Sequence, residues 1–319
     1  MVNHQAYAKV NLGLSIVAKR PDGYHEIETL MVTIDLFDIV QVKERSQGIE
    51  IVCPELVLVP QTDNIAYKAA DCFLSEHGTK PDRGFGIHIT KNIPVGGGLG
   101  GGSSDAAAVL LALQELMFGS FLGSIDHLVQ IGARVGSDVA FFVGANSNPP
   151  QWHSALCSGR GEHIERIDGG EFWLVTVVPE NRIATKWAYD QWDAVNTLGV
   201  FSSEGSACKD YGLTGGLGDK DRRMDRLLEA FSSGDPEFLG RAIFNDLEMP
   251  VCRSHPLISS IKEGLVSSGA YGACMTGSGS AVYGVCDSLE HSLAVKERFL
   301  AVFPHEAGIC DVIITKTRR

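Results

Sequence analysis

The sequence lacks several features that would place it in well-known classes. Its eight cysteines contain no C-x-x-C pair, which argues against a zinc ribbon or a thioredoxin-type redox site. No run of about 18 or more apolar residues is present, so a membrane-spanning helix is not expected. Lys and Arg number 27 against 39 Asp and Glu, a net charge of −12, which argues against a nucleic-acid-binding surface. The N-terminus has no basic start followed by an apolar core, so we expect no secretory signal and a reducing, cytoplasmic location.

Glycine is the residue type in excess. The chain holds 36 glycines among 319 residues, about 11% where roughly 7% is typical. They follow no G-X-Y period, which excludes a collagen helix, and six of them fall within residues 96–102. The apolar and charged fractions, 44% and 21%, are those of a globular protein with one large or two medium domains.

Hydrophobic periodicity predicts an α+β chain in two halves of similar size, joined near 150–165. Alternating residues over 6–18 predict a strand, and the D-G dipeptide at 22–23 predicts a turn after it. The apolar run at 139–143 predicts a short buried strand, and the Gly- and Ser-rich stretch 202–220 predicts a mobile loop. Further strands are predicted at 26–42, 85–91, 172–179, 281–286 and 309–315, and helices at 63–77, 104–117, 124–135, 221–233 and 254–267.

The segment NIPVGGGLGGGSSD at 92–105 carries the densest signal. A glycine run between a strand and a helix lets backbone N–H groups approach an anion closely, and the helix N-terminus adds a favourable dipole. Ser103 and Ser104 add hydroxyl groups and an N-cap. We therefore predict a phosphate-binding loop rather than a flexible linker. Its residues are Pro94, Val95, Gly96, Gly97, Gly98, Leu99, Gly100, Gly101, Gly102, Ser103 and Ser104.

Phosphate loops of the commonest types do not match this segment. Gly96, Gly98 and Gly101 satisfy G-x-G-x-x-G, but no strand ending in an acidic residue follows about 20 positions later, as a dinucleotide site of a dehydrogenase requires. Ser103, not Lys, follows the last glycine, which excludes a Walker A loop. The protein-kinase motifs H-R-D and D-F-G are absent. The loop therefore belongs to a nucleotide site of another type.

Three shorter motifs carry side chains suited to a polar ligand. Lys9 and Asn11 share one face of the first strand, although a solvated strand face is the alternative. Tyr24 can stack on a base and His25 can hydrogen-bond its edge, although both could be structural. Asp138 lies where a predicted helix ends and an apolar strand begins, so it is either a half-buried general base or a structural cap.

A fourth short motif, MTGSGS at 275–280, opens a predicted strand in the second half. Two glycines among three hydroxyl residues indicate a further loop of backbone donors. A plain tight turn is the alternative. The candidate residues of this motif are Thr276, Gly277 and Ser278.

These segments, in this order, resemble the GHMP kinase superfamily, which includes galactokinase, homoserine kinase and mevalonate kinase. The resemblance spans nearly the whole chain. It implies a two-domain α+β fold, with an N-terminal ATP-binding α/β domain of ribosomal protein S5 domain 2-like topology at 1–155 and a ferredoxin-like C-terminal α+β domain at 156–319. The segments that carry it are AKVNLGL at 8–14, KRPDGYHEIETLMVTIDLFD at 19–38, PVGGGLGGGSSDAA at 94–107, GSDVAFF at 136–142 and MTGSGSAVYG at 275–284.

The resemblance also implies an activity. Within the superfamily, the DGYH and AKVN segments indicate ATP-dependent phosphorylation of the 2-hydroxyl group of 4-diphosphocytidyl-2-C-methyl-D-erythritol, in the non-mevalonate route to isoprenoid precursors. By resemblance, Asp138 takes the hydroxyl proton while Lys9 keeps Asp138 ionised and helps to orient the hydroxyl. Asn11 contacts the substrate, and Tyr24 and His25 hold its cytidine.

The same resemblance assigns the remaining parts of the site. The segment 94–104 binds the phosphates of ATP, and Thr276 to Ser280 close the site beside the acceptor. ATP and Mg²⁺ are therefore the expected cofactors, with the metal ligands left open. Trp187 or Tyr189 is a candidate for covering the cytosine from the second domain.

Two alternatives stay open at this point. One is another small-molecule GHMP kinase, acting on mevalonate or homoserine, whose acceptors carry no nucleobase for DGYH to bind. The other is a non-catalytic GHMP-fold protein that binds a nucleotide or metabolite, against which the paired Lys9 and Asp138 argue. The expected partners are ATP and a small-molecule substrate, without nucleic acid or membrane, and the chain is expected to be a monomer or homodimer. The segments 145–157 and 196–220 match no family feature.

Overall fold

The computed structural model describes residues 1–55, 61–78, 83–119, 125–197, 220–303 and 308–319, and the chain forms two compact units. The predicted loop at 202–220 lies outside the described residues up to position 219. The chain enters each unit more than once, and the predicted division into 1–155 and 156–319 stays a prediction. The first unit holds Met1–Lys9, Thr33–Val95 and Gly100–Ile167, and the second holds Val10–Val32, Gly96–Leu99 and Asp168–Arg319.

The first unit combines a mixed sheet with helices. Strands β1 (Val2–Lys19) and β2 (His25–Arg45) run through both units. The second half of β2 pairs antiparallel with β4 (Gly84–Thr90), and β4 pairs in parallel with β3 (Gly48–Val52). The other elements of this unit are a 3₁₀ turn (Gln61–Asp63), α1 (Ile65–His77), α2 (Gly101–Phe118), α3 (Ile125–Val135), α4 (Ser137–Ala145), and the hairpin of β5 (Ser154–Gly159) and β6 (His163–Arg166).

Helix α1 forms where the sequence predicts a helix. Its N-cap is Asn64, whose Oδ1 accepts the backbone N–H of Ala66 at 2.9 Å and so satisfies one of the donors left open at a helix start. Ala66, Ala70, Phe73 and Leu74 are buried along one face, at the three- and four-residue spacing of an amphipathic helix. The local pattern and the packing therefore agree in this segment.

The prediction of a strand at 139–143 is wrong, because this segment lies inside helix α4. Every residue from Val139 to Ala145 is buried, and α4 contacts both α2 and α3. A short apolar run that is buried on all sides has no polar face, so its periodicity does not separate a helix from a strand. Asp138 consequently lies in the first turn of a helix, two residues after the N-cap Gly136.

The second unit contains an antiparallel sheet of strand order β11-β7-β10-β9, formed by β7 (Trp173–Pro179), β9 (Ala273–Met275), β10 (Val282–Cys286) and β11 (Ile309–Lys316). The short β8 (Phe244–Asn245) pairs in parallel with β1 at Gly13 and Leu14. No helix in the described ranges is long and apolar enough to cross a membrane. The helices of this unit are α5 (Thr185–Thr197), α6 (Lys220–Ser233), α7 (Pro236–Ala242), α8 (Glu248–Ser254), α9 (Pro256–Ser267) and α10 (Leu289–Val302).

A tight turn joins β1 to β2, as the D-G dipeptide predicts. Gly23 has a φ of +85°, a conformation that favours glycine. The backbone N–H of Gly23 donates to the carbonyl of Arg20 at 3.1 Å, and the N–H of Arg20 donates to the carbonyl of Tyr24 at 2.8 Å. The turn therefore places Tyr24 and His25 at the start of β2.

Candidate active site

Lys9 and Asp138 form an ion pair within the first unit, with 3.7 Å between Nζ and Oδ2. The Lys9 side chain is 4% exposed, whereas the Asp138 side chain is 36% exposed. Burial lowers the pKa of Lys9 below its ordinary value, although the Asp138 carboxylate opposes this shift. The position of Asp138 in the first turn of α4 stabilises its negative charge. The pair therefore combines a buried amine with a carboxylate that a ligand can reach.

Helix α2 begins at the glycine loop, directly beside Lys9. Its N-cap is Gly100, with a φ of +75°. A side chain at Gly100 would lie 2.7 Å from Cζ of Phe142 and 3.1 Å from Cγ of Lys9, so glycine permits this close approach. The first backbone N–H groups of α2 point out of its N-terminus, where they favour an anion. The prediction that Ser103 or Ser104 caps this helix is wrong, because both lie inside α2.

A second buried lysine anchors the segment that leads into the loop. Lys91 Nζ donates to Oδ2 of Asp105 at 2.7 Å and also to Asp38. Asp38 is fully buried, and its Oδ1 accepts the backbone N–H groups of Asn92 at 2.5 Å and Ile93 at 2.8 Å. Sequence reasoning missed this cluster, because its members are separated by many residues along the chain.

The pKa values in this cluster follow from its two carboxylates. Burial raises the pKa of Asp105 to about 8; Lys91 opposes that shift and Asp38 adds to it. The pKa of Lys91 is raised, because the attraction of Asp105 and Asp38 outweighs burial, which would lower it. The cluster therefore shares one ammonium between two acids.

In the second unit, the middle of the glycine loop packs against the MTGSGS segment. The backbone N–H of Ala281 donates to the carbonyl of Gly97 at 3.1 Å. Gly98 has a φ of +78°, and a side chain there would lie 2.4 Å from the carbonyl oxygen of Thr276. The structure thus brings together two glycine motifs that are about 180 residues apart in the sequence.

Asn11 is buried in a hydrogen-bond network of the second unit. Its backbone N–H donates to Oγ1 of Thr276 at 3.0 Å, and its Nδ2 donates to Oγ1 of Thr29 at 2.8 Å. The hydroxyl of Tyr283 donates to the carbonyl of Asn11 at 2.9 Å. The network joins β1 to the start of the MTGSGS segment, so Asn11 has a structural task beside any contact with substrate.

Asn245, which sequence reasoning also missed, holds the backbone of the MTGSGS segment. Its Nδ2 donates to the carbonyls of Met275 at 2.7 Å and Gly277 at 2.8 Å. The hydroxyls of Ser278 and Thr185 lie 3.0 Å apart and are exposed. Of the predicted residues here, Thr276 and Gly277 are therefore held in place by buried partners, whereas Ser278 is half-buried and its hydroxyl lies beside the exposed Thr185.

Tyr24 and His25 differ in exposure, although they are neighbours in the chain. Tyr24 is 54% exposed and His25 is 8% exposed. The imidazole of His25 stacks on the ring of Tyr189, with 4.8 Å between ring centroids, and Trp192 approaches it edge-on at 5.6 Å. Nε2 of His25 lies 2.8 Å from Oδ1 of Asp193.

Helix α5 supplies the residues around His25. Tyr189, Trp192 and Asp193 have the three- and four-residue spacing that places side chains on one face of a helix, a signal that could have revealed this group in the sequence. Trp187, the other candidate for covering a base, instead contacts the ring of His255 edge-on at 5.1 Å.

A metal would have few ligands from the described part of the chain. No group of three or more His, Cys, Asp or Glu side chains in these ranges could hold a metal ion. Mg²⁺ in kinases usually binds phosphate oxygens and water together with one or two carboxylates. The half-exposed Asp138 therefore suits an ion that arrives with a nucleotide better than one held permanently by the protein.

Two protein-family models and a relative of similar length match this chain. The models for the GHMP kinases N terminal domain and the GHMP kinases C terminal domain match residues 64–145 and 227–305. The chain is 33% identical to the 4-diphosphocytidyl-2-C-methyl-D-erythritol kinase of Clostridium novyi (strain NT), over 98% of this chain and 99% of that protein.

Solved structures point the same way. A crystal structure of 4-(cytidine 5'-diphospho)-2C-methyl-D-erythritol kinase matches with a TM-score of 0.72 and 29% identity, covering 100% of both chains. A homoserine kinase from Cytophaga hutchinsonii matches with a TM-score of 0.69 and 16% identity, covering 99% of this chain and 94% of that one, so it shows the shared fold alone. The predicted two-domain GHMP kinase fold is confirmed, and the chain belongs to the 4-diphosphocytidyl-2-C-methyl-D-erythritol kinase family within the GHMP kinases.

Proposed function

We propose that this protein transfers the γ-phosphoryl group of ATP to the 2-hydroxyl group of 4-diphosphocytidyl-2-C-methyl-D-erythritol. The observation that carries the proposal is the ion pair of Lys9 and Asp138, in which a reachable carboxylate lies next to a buried amine. The names of the full-length relatives support the choice of acceptor.

In the proposed reaction, Asp138 accepts the proton of the attacking hydroxyl. The hydroxyl oxygen forms a bond to the γ-phosphorus while the bond from that phosphorus to the β–γ bridging oxygen breaks, and ADP leaves. Proton transfer to a well-placed side chain contributes about 10²–10⁴-fold to a rate. Lys9 keeps Asp138 ionised and stabilises negative charge on the transferred group, which is the main demand of phosphoryl transfer.

The glycine loop is the proposed site for the ATP phosphates. Backbone N–H groups at Gly96–Gly100 and at the start of α2 are suited to oxygen anions without adding side-chain charge. This matters in a chain with a net charge of −12, whose overall field repels a nucleotide. Mg²⁺, bound with ATP, would supply further neutralisation of the phosphate charge.

We assign Tyr24 and His25 to the cytidine of the acceptor, and Asn11 with the segment Thr276 to Ser278 to the remainder of that substrate. The exposed ring of Tyr24 is suited to stacking on a base, while the ring of His25 is held by packing. A cytoplasmic location and a monomeric or homodimeric state stay predictions.

The direct test is ADP release from ATP and Mg²⁺ in the presence of candidate acceptors. The cytidyl substrate should support turnover, while mevalonate and homoserine should not exceed the background without acceptor. Turnover with mevalonate or homoserine would favour another GHMP kinase. Folded protein that binds ATP but releases no ADP with any acceptor would favour the non-catalytic alternative.

A further inference from the structure

The imidazole of His25 is held from several sides within the second unit. Tyr189 covers one face of the ring at a centroid distance of 4.8 Å and an interplanar angle of 29°, and Trp192 meets it at 87°. Nε2 faces Oδ1 of Asp193 at 2.8 Å. The ring therefore has one orientation, and one of its two nitrogens is committed to a carboxylate.

Asp193 is an acceptor in this contact because it is ionised. Its Oδ1 faces His25, and its Oδ2 accepts from Nζ of Lys19 at 2.5 Å. Partial burial would raise the pKa of Asp193, but the hydrogen bonds from His25 and Lys19 outweigh burial and lower it. An ionised carboxylate offers lone pairs only, so Nε2 of His25 must carry a proton.

The proton on Nε2 also sets the hydrogen-bonding role of the other ring nitrogen, Nδ1. In a neutral imidazole one nitrogen donates and the other accepts. With the proton on Nε2, Nδ1 carries the lone pair, and it has no hydrogen-bond partner among the residues that the structure describes. His25 therefore presents an acceptor to whatever ligand reaches this nitrogen.

We infer that Asp193 is a specificity-determining positioning residue: through His25, it selects cytosine over uracil in the acceptor substrate. It fixes the Nε2–H tautomer, so Nδ1 accepts a hydrogen bond from the exocyclic amino group of cytosine. Uracil carries a carbonyl oxygen at that position, and two acceptors repel each other. This inference rests on the assignment of His25 to the cytidine under the proposed function.

Lys19 provides a way to reverse the tautomer. In an Asp193→Asn variant only one side-chain oxygen remains, and the ammonium of Lys19, which has donors alone, competes for it. The amide NH₂ then faces His25 and donates to Nε2, which moves the proton to Nδ1. In the double variant Lys19→Ala with Asp193→Asn, the competing ammonium is absent, so the amide oxygen can again accept from Nε2 and restore the original tautomer.

The first readout does not depend on turnover. Long-range ¹H–¹⁵N correlation spectra of the full chain, at a pH where the ring carries one proton, distinguish the two tautomers, and a His25→Gln variant identifies the His25 signals. We expect Nε2–H in the wild type and in Lys19→Ala, Nδ1–H in Asp193→Asn, and Nε2–H again in the double variant. The same tautomer in all four proteins would overturn the inference.

The second readout is the ratio of kcat/KM for the cytidyl substrate to kcat/KM for its uridyl analogue. Asp193→Asn should lower this ratio by roughly tenfold or more, since a matched donor–acceptor pair becomes a mismatched one, and the double variant should recover it. Asp190→Asn, which changes an exposed aspartate on the same helix, is the matched control and should leave the ratio unchanged.

The outcomes separate this inference from the proposed function. A wild-type protein that does not turn over the cytidyl substrate contradicts the proposed function. A wild-type protein that does so, with a tautomer that reverses in Asp193→Asn while the base preference stays the same, contradicts the inference alone. Equal circular dichroism spectra for all variants exclude misfolding as the cause of either change.

Discussion

The first unit contains two buried lysines whose surroundings differ in a way that separates chemistry from architecture. Lys9 and Lys91 are almost equally inaccessible, with side-chain exposures of 4% and 6%. The pKa of Lys9 is lowered, because burial outweighs the attraction of the half-exposed Asp138 carboxylate. The pKa of Lys91 is raised, because Asp38 and Asp105 together outweigh burial. Burial of the lysines alone therefore does not explain their opposite pKa shifts. The carboxylates that face each lysine, and how deeply those carboxylates are buried, make the difference.

This difference indicates what each lysine can do. Lys91 donates to both Asp38 and Asp105. Asp38 also accepts the backbone N–H groups of Asn92 and Ile93, so the cluster is suited to holding the loop entrance. The Asp138 partner of Lys9 is half-exposed, so an incoming phosphate can approach this pair and interact favourably with the ammonium of Lys9. Three predictions test this contrast.

The largest effect is expected from Asp138→Asn. If Asp138 accepts the proton of the hydroxyl, kcat should fall by roughly 10³-fold while ATP still binds. Single-turnover ADP formation and nucleotide titration would measure the two properties separately. Asp126→Asn, which changes an exposed aspartate in the first turn of α3, is the control with an unchanged kcat. Turnover within a few fold of the wild type would remove Asp138 from the mechanism.

The next effect concerns stability and uses matched substitutions of the two lysines. Lys91→Met leaves the buried Asp38 and Asp105 without their shared cation, so the free energy of unfolding should fall by about 3 kcal/mol or more. Lys9→Met removes a buried charge whose pKa burial lowers and leaves Asp138 in contact with solvent, so the change should be within about 1 kcal/mol.

Urea unfolding followed by circular dichroism would compare these two variants at one pH. The same proteins should show the opposite order in catalysis, since Lys9→Met should remove most of the turnover while its fold persists. Equal losses of stability in both variants would contradict the contrast between the two lysines.

Per pH unit, the smallest effect is the slope that Asp105 gives to the free energy of unfolding. Its pKa is raised to about 8 in the folded chain, against about 3.9 when unfolded, so the native state holds more protons between these values. The free energy of unfolding should therefore decrease as the pH rises from about 4 to 8, by at most about 1.4 kcal/mol per pH unit from this group. Asp105→Asn should flatten that slope. A slope that is identical in the variant would show that Asp105 titrates normally.

The parts of the molecule that follow local rules could be predicted from the sequence. The alternation of β1, the cap and apolar face of α1, the D-G turn before Tyr24 and the glycine run before α2 each depend on residues close together in the chain. Helix α4 could not be predicted in this way, because its apolar run is buried on all sides and shows no apolar–polar periodicity.

Motif order alone determined that this chain belongs among the GHMP kinases and identified Lys9, Asp138, Tyr24 and His25 as candidates. Only the tertiary structure decided their surroundings: Lys91 meets Asp38 across 53 positions, and His25 meets Asp193 across 168. Periodicity reports which face a residue lies on, whereas the partner of a buried charge depends on how distant segments pack. For that reason the residue types of the site can be identified from the sequence, while their charge states and hydrogen-bonding roles follow from the fold.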